Sequence, residues 1–257
     1  MKPYFTEETV AEIKKELRGI ESKADRLVLG YTLFSFSKAQ AQEYAHHGFM
    51  RRVRTLQRCI QNVFGVIPPE RVVRPEKTEL DDAQINLQAF YANIYGAVDN
   101  LAWIWVFERG PKNIDRRKVG LRKRHAEIRS SLSAAFQKYL EGLDEWFEYV
   151  VEFRDALAHR IPLYIPLRVQ PENVDAYNAL SRRMSDALGR FDHEEYQRLY
   201  AEQDKLLVFQ PLITHSVSES TAHIFFHGQL IADFNTVEEL GSKMLEELKG
   251  GKAAGLA

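Results

Sequence analysis

Apolar residues recur at helical spacing along most of this sequence, and this periodicity limits the fold more than any other feature. Several of these runs end at glycine or proline, as helices commonly do. We therefore predict five helices before the proline at position 166, over 5–34, 37–65, 85–110, 126–140 and 142–160. Thr6 is the expected N-cap of the first helix, and the polar segment 68–84 is an expected connector.

The pattern changes after Pro166. Segment 169–205 has the spacing of a helical pair, and Leu206–Phe234 carries β-branched and aromatic runs around a serine-rich turn. These runs predict a β-hairpin, followed by a capped helix from Asn235. The predicted fold is mainly all-α, a helical bundle with a small C-terminal β-hairpin and a terminal helix. We expect a bundle core over 1–166, an extension over 167–250 packed on the same domain, and a disordered tail over 251–257.

Charge and cysteine content exclude several classes of protein. The 257 residues carry a net charge of −1, so the chain as a whole has no field that attracts nucleic acid or a membrane surface. The single cysteine, Cys59, excludes an internal disulfide framework and is typical of a reducing cytosol. No secretory signal and no apolar run of about 20 residues is present, so we expect a cytoplasmic protein without a membrane partner.

Arg154 interrupts the apolar stripe of the predicted helix 142–160. Counted from Leu143, the apolar residues fall at offsets 0, 3, 4, 7, 8, 14 and 15, and Arg154 occupies offset 11 of the same stripe. An arginine near the centre of a buried stripe is costly unless it is paired, lies at an interface or lines a cavity. Asp99 is a candidate partner, because it belongs to a helix that is apolar almost all round.

His159 lies on a different face of that helix, about 140° from Arg154. Pro162 ends the helix, so His159 falls in the last turn, where the helix dipole favours a positive ring. Asp155 is four residues before His159, and its carboxylate is expected to hold one ring nitrogen. The alternative is structural only, with Arg154 in a buried ion pair and His159 as a C-terminal cation.

Segment 109–129 is strongly basic. Nine Lys or Arg residues oppose Asp115 and Glu127, so nine minus two gives a local charge of +7. Such a segment is suited to follow phosphates, although it also fits a solvated loop that balances acidic surface elsewhere. The candidate substrate-binding residues in this segment are Arg116, Arg117, Arg122, Lys123 and Arg124. Arg160 and Tyr164, at the end of the helix 142–160, are two further candidates. The smaller cluster Arg51, Arg52, Arg54 and Arg58 is predicted to be a solvated helix face.

Neither a metal site nor a cofactor site is expected. His46 and His47 are adjacent and face different ways, whereas His223 and His227 would be about 13 Å apart on a strand, too far to share one ion. The sequence also lacks the glycine-rich motifs that bind phosphates or dinucleotides, and the serine elbow of hydrolases.

The stretch "RDALAH", from Arg154 to His159, resembles the signature of the HEPN family, an arginine and a histidine separated by four to six residues near the end of an apolar helix. The helix "FYANIYGAVDNLAWIWVFE" is similar to the partner helix of that family's bundle. The continuations "HRIPLYIP" and "GQLIADFNTVEEL" resemble a stand-alone bacterial branch.

The resemblance implies a homodimer in which two signature helices face each other across a shared cleft. Many HEPN proteins are metal-independent endoribonucleases of toxin–antitoxin or other defence systems, which implies RNA as substrate and an antitoxin or regulatory protein as partner. Carried over, Arg154 and His159 are the catalytic pair and Asp155 supports them. The alternative is a non-catalytic HEPN-fold dimer that binds a nucleotide, RNA or a protein.

Overall fold

The computed structural model describes residues 3–216 and 223–253. It is mainly helical with two small antiparallel strand pairs, which confirms the predicted fold class. The helices are α1 (Glu7–Leu33), α2 (Ala39–Glu43), α3 (Met50–Val66), α4 (Lys77–Glu108), α5 (Ala126–Ser130), α6 (Ala134–Glu141), α7 (Asp144–His159), α8 (Val174–Gly189), α9 (His193–Asp204) and α10 (Phe226–Ala253). The strands are β1 (Leu167–Val169), β2 (Leu207–Phe209), β3 (Leu212–Ile213) and β4 (Ile224–Phe225).

Helix α1 begins where the sequence predicts. The Thr6 hydroxyl accepts a hydrogen bond from the Thr9 backbone N–H at 3.2 Å, so Thr6 is the N-cap. The helix packs against α10 and α3. Gly241 of α10 permits close packing against Phe49, which precedes α3, and against Leu27 of α1, because a Cβ there would lie 2.6 Å from the Phe49 ring and 3.2 Å from Leu27.

Helix α4 is the centre of the bundle and contacts α2, α3, α7 and α10. It begins at Lys77, within the segment for which we predict a connector, so that prediction is wrong for its second half. The start is fixed by a capping box, in which the Glu79 carboxylate accepts from the Glu76 backbone N–H at 2.7 Å and Glu76 reciprocates.

The single helix predicted over 126–140 is also wrong, because the structure divides it into α5 and α6. The break falls at Ser133, whose hydroxyl accepts from the Phe136 backbone N–H at 3.2 Å and so caps α6. The Ser133 backbone N–H donates to Glu247 of α10 at 2.6 Å. Helix α7 agrees closely with its prediction.

The C-terminal strands are shorter than the hairpin predicted over 206–234. Among the residues that the structure describes, strand β2 pairs with β1, and β3 pairs with β4. The residues from Phe226 onward belong to α10, because Phe226, Leu230, Ile231 and Phe234 share one buried helical face. The serine-rich turn at 217–222 lies outside the described residues.

One hydrophobic core runs through α1, α3, α4, α7 and α10, so it draws on both 1–166 and 167–250. The pair α8–α9 has a small core of its own, formed by Met184, Ala187 and Leu199. Helix α10 continues through Ala253, into the predicted tail 251–257, and 254–257 lie outside the described residues. In the part of the chain that is described, no helix has the length and apolar character needed to cross a membrane.

Candidate functional site

Arg154 lies at the edge of the buried stripe of α7, and the prediction of a central position is wrong. The buried residues of α7 are Phe147, Val150, Phe153 and Ala156. Phe153 and Ala156 shift the centre of the stripe, so that Arg154 points roughly 70° away from it. Its side chain is 37% exposed, which leaves the guanidinium accessible to a ligand.

The direct partner of Arg154 is Asp155, at 2.9 Å between Nη1 and Oδ1. The guanidinium also lies over the ring of Tyr95, 4.9 Å from its centre. The hydrogen bond to Asp155 raises the pKa of Arg154 above its usual value, so the group stays charged. Asp99, the partner suggested by the sequence, affects Arg154 only through its charge.

His159 is exposed at the C-terminal end of α7. None of the residues in 3–216 or 223–253 forms a hydrogen bond or ion pair with its ring, so the predicted contact with Asp155 is absent there. Asp155 pairs with its neighbour Arg154 instead. The His159 imidazole is therefore available for proton transfer to a ligand.

Arg160 and Tyr164 flank this end of α7. Arg160 is exposed, and its Nη2 donates to the Glu152 carbonyl at 3.4 Å. Tyr164 is half-buried, and its backbone pairs with Thr214 through hydrogen bonds of 2.9 and 3.1 Å. The residues after α7 are thus tied to the segment that precedes the serine-rich turn.

The basic segment 109–129 divides into exposed and buried parts. Arg116, Arg117, Lys123 and Arg124 are exposed, as expected for side chains that contact a polyanion. Arg129 is buried in an ion pair with Asp144 and donates to the Leu121 carbonyl at 2.7 Å, so it holds the segment in place. Arg122 is also buried, at 8% exposure, and does not lie on the open surface that the sequence suggests.

His125 fixes the conformation of this segment from inside. Its Nδ1 lies 3.0 Å from the Lys118 carbonyl, and its Nε2 accepts from Arg124 Nε at 3.1 Å. Burial lowers the pKa of His125, so the ring is neutral and matches this donor and acceptor pattern. Gly120 is required beside it, because a Cβ would lie 2.6 Å from the His125 ring.

Asp99 belongs to α4, and arginines of α3, α7 and the basic segment act on its carboxyl through their charges. Burial raises the pKa of its carboxyl to about 6, and the charges of Arg122, Arg154, Arg52 and Arg124 oppose this shift. Asp99 lines a narrow cleft, whose walls are Tyr95, Val98, Gly120, Leu121, Arg122, His125, Phe147, Val150 and Val151. Arg154 borders the cleft through Tyr95.

Arg52 is one of the charged groups around Asp99, and the prediction that it lies on a solvated helix face is wrong. Its Nε donates to Asn100 Oδ1 and its Nη1 donates to Asn93 Oδ1, both at 3.0 Å. The guanidinium lies on Gly96, where a Cβ would be only 2.3 Å from Arg52 Cζ. Arg51, Arg54 and Arg58, the other arginines of that predicted helix face, are exposed as expected.

A buried polar network that the sequence analysis missed anchors α7 to α10. Asp233 is 1% exposed and accepts from Trp146 Nε1 at 2.9 Å, Gln229 Nε2 at 2.9 Å and the Tyr149 hydroxyl at 3.3 Å. The Tyr149 and Tyr91 hydroxyls are 2.7 Å apart. Burial raises the pKa of Asp233 to about 6. An aspartate inside the apolar run "GQLIADF" is the sequence signal for this network.

His215 is a second buried group that contacts α7. Its Nε2 is 3.3 Å from Glu152 Oε1, and its ring lies against Phe153 with 5.9 Å between centres. No sequence motif marks it. Across the described ranges, no group of three or more side chains is arranged to bind a metal ion.

Comparison of this chain with protein-family models, with curated proteins and with solved structures finds no match. The arguments for function therefore rest on the geometry around α7 and on the resemblance of the "RDALAH" stretch to the HEPN signature.

Proposed function

We propose that this protein is a metal-independent endoribonuclease of the HEPN type, in which Arg154 and His159 form a composite site in a homodimer. The observation that carries the proposal is the end of α7. An exposed histidine, unbonded to any residue that the structure describes, follows a half-exposed arginine at the signature spacing. The exposed cations of the basic segment, among them Arg116, Arg117, Lys123 and Arg124, add affinity for the RNA backbone.

The reaction uses the 2′-hydroxyl of RNA as its nucleophile. His159 removes the 2′-hydroxyl proton, the 2′-oxygen attacks the adjacent phosphorus, and the bond from phosphorus to the 5′-oxygen breaks. A second histidine, protonated and supplied by the partner chain, donates a proton to the leaving 5′-oxygen. Arg154 binds the non-bridging oxygens with its planar fork of donors. The products are a 2′,3′-cyclic phosphate and a 5′-hydroxyl.

The two residues of one chain lie about 140° apart around α7. One helix therefore directs them toward different ligand atoms, whereas two facing helices supply an arginine and a histidine to each site. Ile161 is an apolar residue next to the signature that is 47% exposed. Its exposure supports the burial of this helix end against a second copy. A cytoplasmic antitoxin or regulatory protein that covers the same end of α7 is part of the proposal.

The test is cleavage of end-labelled RNA by the purified protein in excess chelator. We expect cleavage by the parent protein and a loss of at least about 100-fold in His159→Ala, the usual contribution of a general acid or base. Arg154→Gln is expected to lose a comparable factor. Arg182→Gln is the matched control, because it removes an exposed arginine on α8. Cleavage by His159→Ala at the parental rate contradicts the proposal.

A second function, RNA binding without cleavage, is favoured by the contacts of Arg154. Its guanidinium is engaged by Asp155 and Tyr95, so a phosphate has to compete with Asp155 for it. Intact RNA together with retained binding in the same assay supports this function. Asp155→Asn separates the two, because release of Arg154 is expected to increase cleavage in a nuclease and only affinity in a binding protein.

A further inference from the structure

The outer face of the strand pair β1–β2 carries a groove of about 450 Å³, a volume within the usual range of ligand pockets. Leu167 and Phe209 pack on the core, so the residues that alternate with them point outward. The outward residues that line this β1–β2 groove are Arg168, Gln170, Val208 and Gln210. The groove is thus formed by the side chains that the core does not use.

Both strands carry the same local pattern. Segment 167–171 reads LRVQP and segment 207–211 reads LVFQP. Arg168 lies opposite Val208 in the antiparallel register, so a local two-fold axis between them relates Gln170 to Gln210. Each glutamine is two residues from this centre, in opposite directions, which separates the two by about 13 Å along the strands. The groove therefore has one cation midway between two amides.

The fold does not use these polar side chains. No described residue forms a hydrogen bond or an ion pair with the Arg168 guanidinium. The side-chain amides of Gln170 and Gln210 likewise make no hydrogen bond to the described part of the chain. Arg168 is half-buried, and its nitrogens keep contact with solvent. Its donors can therefore pass from water to a ligand without breaking a contact within the protein.

Tyr4 lines the same groove and is held in place. Its hydroxyl donates to the Phe209 carbonyl, and its ring meets the Phe209 ring edge-on, with 6.3 Å between centres. Pro171 also lines the groove. A fixed aromatic ring and a proline beside the amides provide apolar surface on which a planar group such as a base can stack.

The arrangement selects a phosphodiester. One guanidinium balances one negative charge, and its planar fork of donors fits the two free oxygens of a phosphodiester. A carboxylate lies at the end of a ligand and would leave one amide without a partner, whereas a phosphodiester carries an organic group on each side. Glutamine amides both donate and accept, as the exposed edge of an unpaired base requires.

We propose that the β1–β2 groove binds a dinucleotide step of single-stranded RNA, with the phosphodiester on Arg168 and the two flanking bases on Gln170 and Gln210. The choice of RNA rests on the proposed function. The groove binds the substrate and takes no part in the chemistry, which belongs to the end of α7.

The groove is held at a fixed distance from the end of α7. Arg168 follows His159 by nine residues, so at most about 32 Å of extended chain separates them. The link is fastened to α4, because the Ile165 backbone N–H donates to Gln84 Oε1 at 2.9 Å and Gln88 Nε2 donates to the Leu163 carbonyl at 2.7 Å. One strand of RNA can therefore contact both places.

The experiment is fluorescence anisotropy with a labelled single-stranded 2′-O-methyl oligonucleotide, which lacks the nucleophile and cannot be cleaved. We expect Arg168→Gln to weaken binding at least about tenfold. The slope of log affinity against log salt is expected to fall by about 0.7, the value for one phosphate contact on a single strand. Arg182→Gln removes an exposed arginine of α8 and is the matched control, with a loss of less than twofold.

The two glutamines give an independent readout. Gln170→Ala and Gln210→Ala are each expected to weaken binding severalfold and to leave the salt slope unchanged, because their amides carry no charge. Arg168→Lys is expected to keep the slope and lose part of the affinity, because lysine keeps the charge without the fork. Thermal melting controls for folding, and Arg168→Gln is expected to melt with the parent protein because it loses no described contact.

Equal losses in Arg168→Gln and Arg182→Gln, an unchanged salt slope in Arg168→Gln, or no binding by the parent overturn the proposal. Duplex RNA bound as tightly as the single strand overturns the role of the glutamines, because paired bases do not offer those edges. Phosphatidylglycerol vesicles that bind the parent and not Arg168→Gln, with RNA binding unaffected, assign the groove to a phospholipid and overturn the choice of RNA. The proposed nuclease fails on a different result, cleavage by His159→Ala at the parental rate, so the two failures are distinguishable.

Discussion

Replacement of Asp233 by asparagine tests the energetics of the network that anchors α7. In the folded protein the pKa of this carboxyl is raised to about 6 from an ordinary value of 3.8. Between these two values the folded state binds one more proton than the unfolded state. The stability contributed by this group therefore falls as the pH rises from about 4 to about 6. A shift of about two pKa units corresponds to about 3 kcal/mol.

His227 acts in the opposite direction over the same pH range. Burial lowers its pKa to about 4, so the unfolded state takes up a proton first and stability grows as the pH rises from about 4 to 6.5. The contributions of Asp233 and His227 to the stability of the parent protein therefore partly cancel as the pH changes. The informative quantity is the difference in free energy of unfolding between Asp233→Asn and the parent, because the other groups drop out of it.

We expect this difference to move by about 2 kcal/mol in favour of the variant between pH 4 and pH 7, which is most of the pKa shift, because the unfolded carboxyl is already more than half ionised at pH 4. Asparagine keeps the acceptor for Trp146 Nε1, and the Tyr149 hydroxyl can accept from its amide, so the fold is retained. Urea unfolding at four pH values, followed by tryptophan fluorescence, measures the change. Asp82→Asn, an exposed substitution on α4, is the control. A difference that stays constant from pH 4 to pH 7 refutes the reasoning.

Two further predictions concern α10. His227→Gln is expected to remove the gain in stability that the parent shows between pH 4 and 6.5, because glutamine does not titrate and keeps a donor for the Ile67 carbonyl, 2.6 Å from His227 Nε2. Urea midpoints over that range check it, and an unchanged gain contradicts it. Gly241→Ala is expected to cost about 1–3 kcal/mol through overpacking against Phe49, whereas Gly189→Ala, where nothing lies within 4 Å, is the matched control. Equal melting temperatures for the two variants would disprove the close contact.

Local patterns in the sequence determined most of the helices. Thr6 caps α1 because the cap depends on residues within one turn. Helix α7 follows from its own periodicity and from Pro162. The sequence alone also placed Arg154 and His159 on different faces of one helix, because their angular separation depends only on helix geometry.

Tertiary packing decided the conformation of short apolar runs and the ion-pair partner of Asp155. The run that begins at Phe226 fits a strand or a helix equally in isolation, and contact with α1 and α4 selects the helix. Asp155 lies within reach of both Arg154 and His159 in sequence, and it pairs with the arginine, which also packs over Tyr95.

The group of charges around Asp99 depends even more on long-range packing. Arg52, Asp99, Arg122 and Arg154 come from segments far apart in the chain, and the network of Asp233 joins residues 84 and 87 positions away. Sequence determined the charge of each of these groups and the helix that carries it. Only the packing of α3, α4, α7 and the basic segment decided that Arg122 is buried beside Asp99, because burial and electrostatic coupling are set by distances between elements that no local pattern encodes.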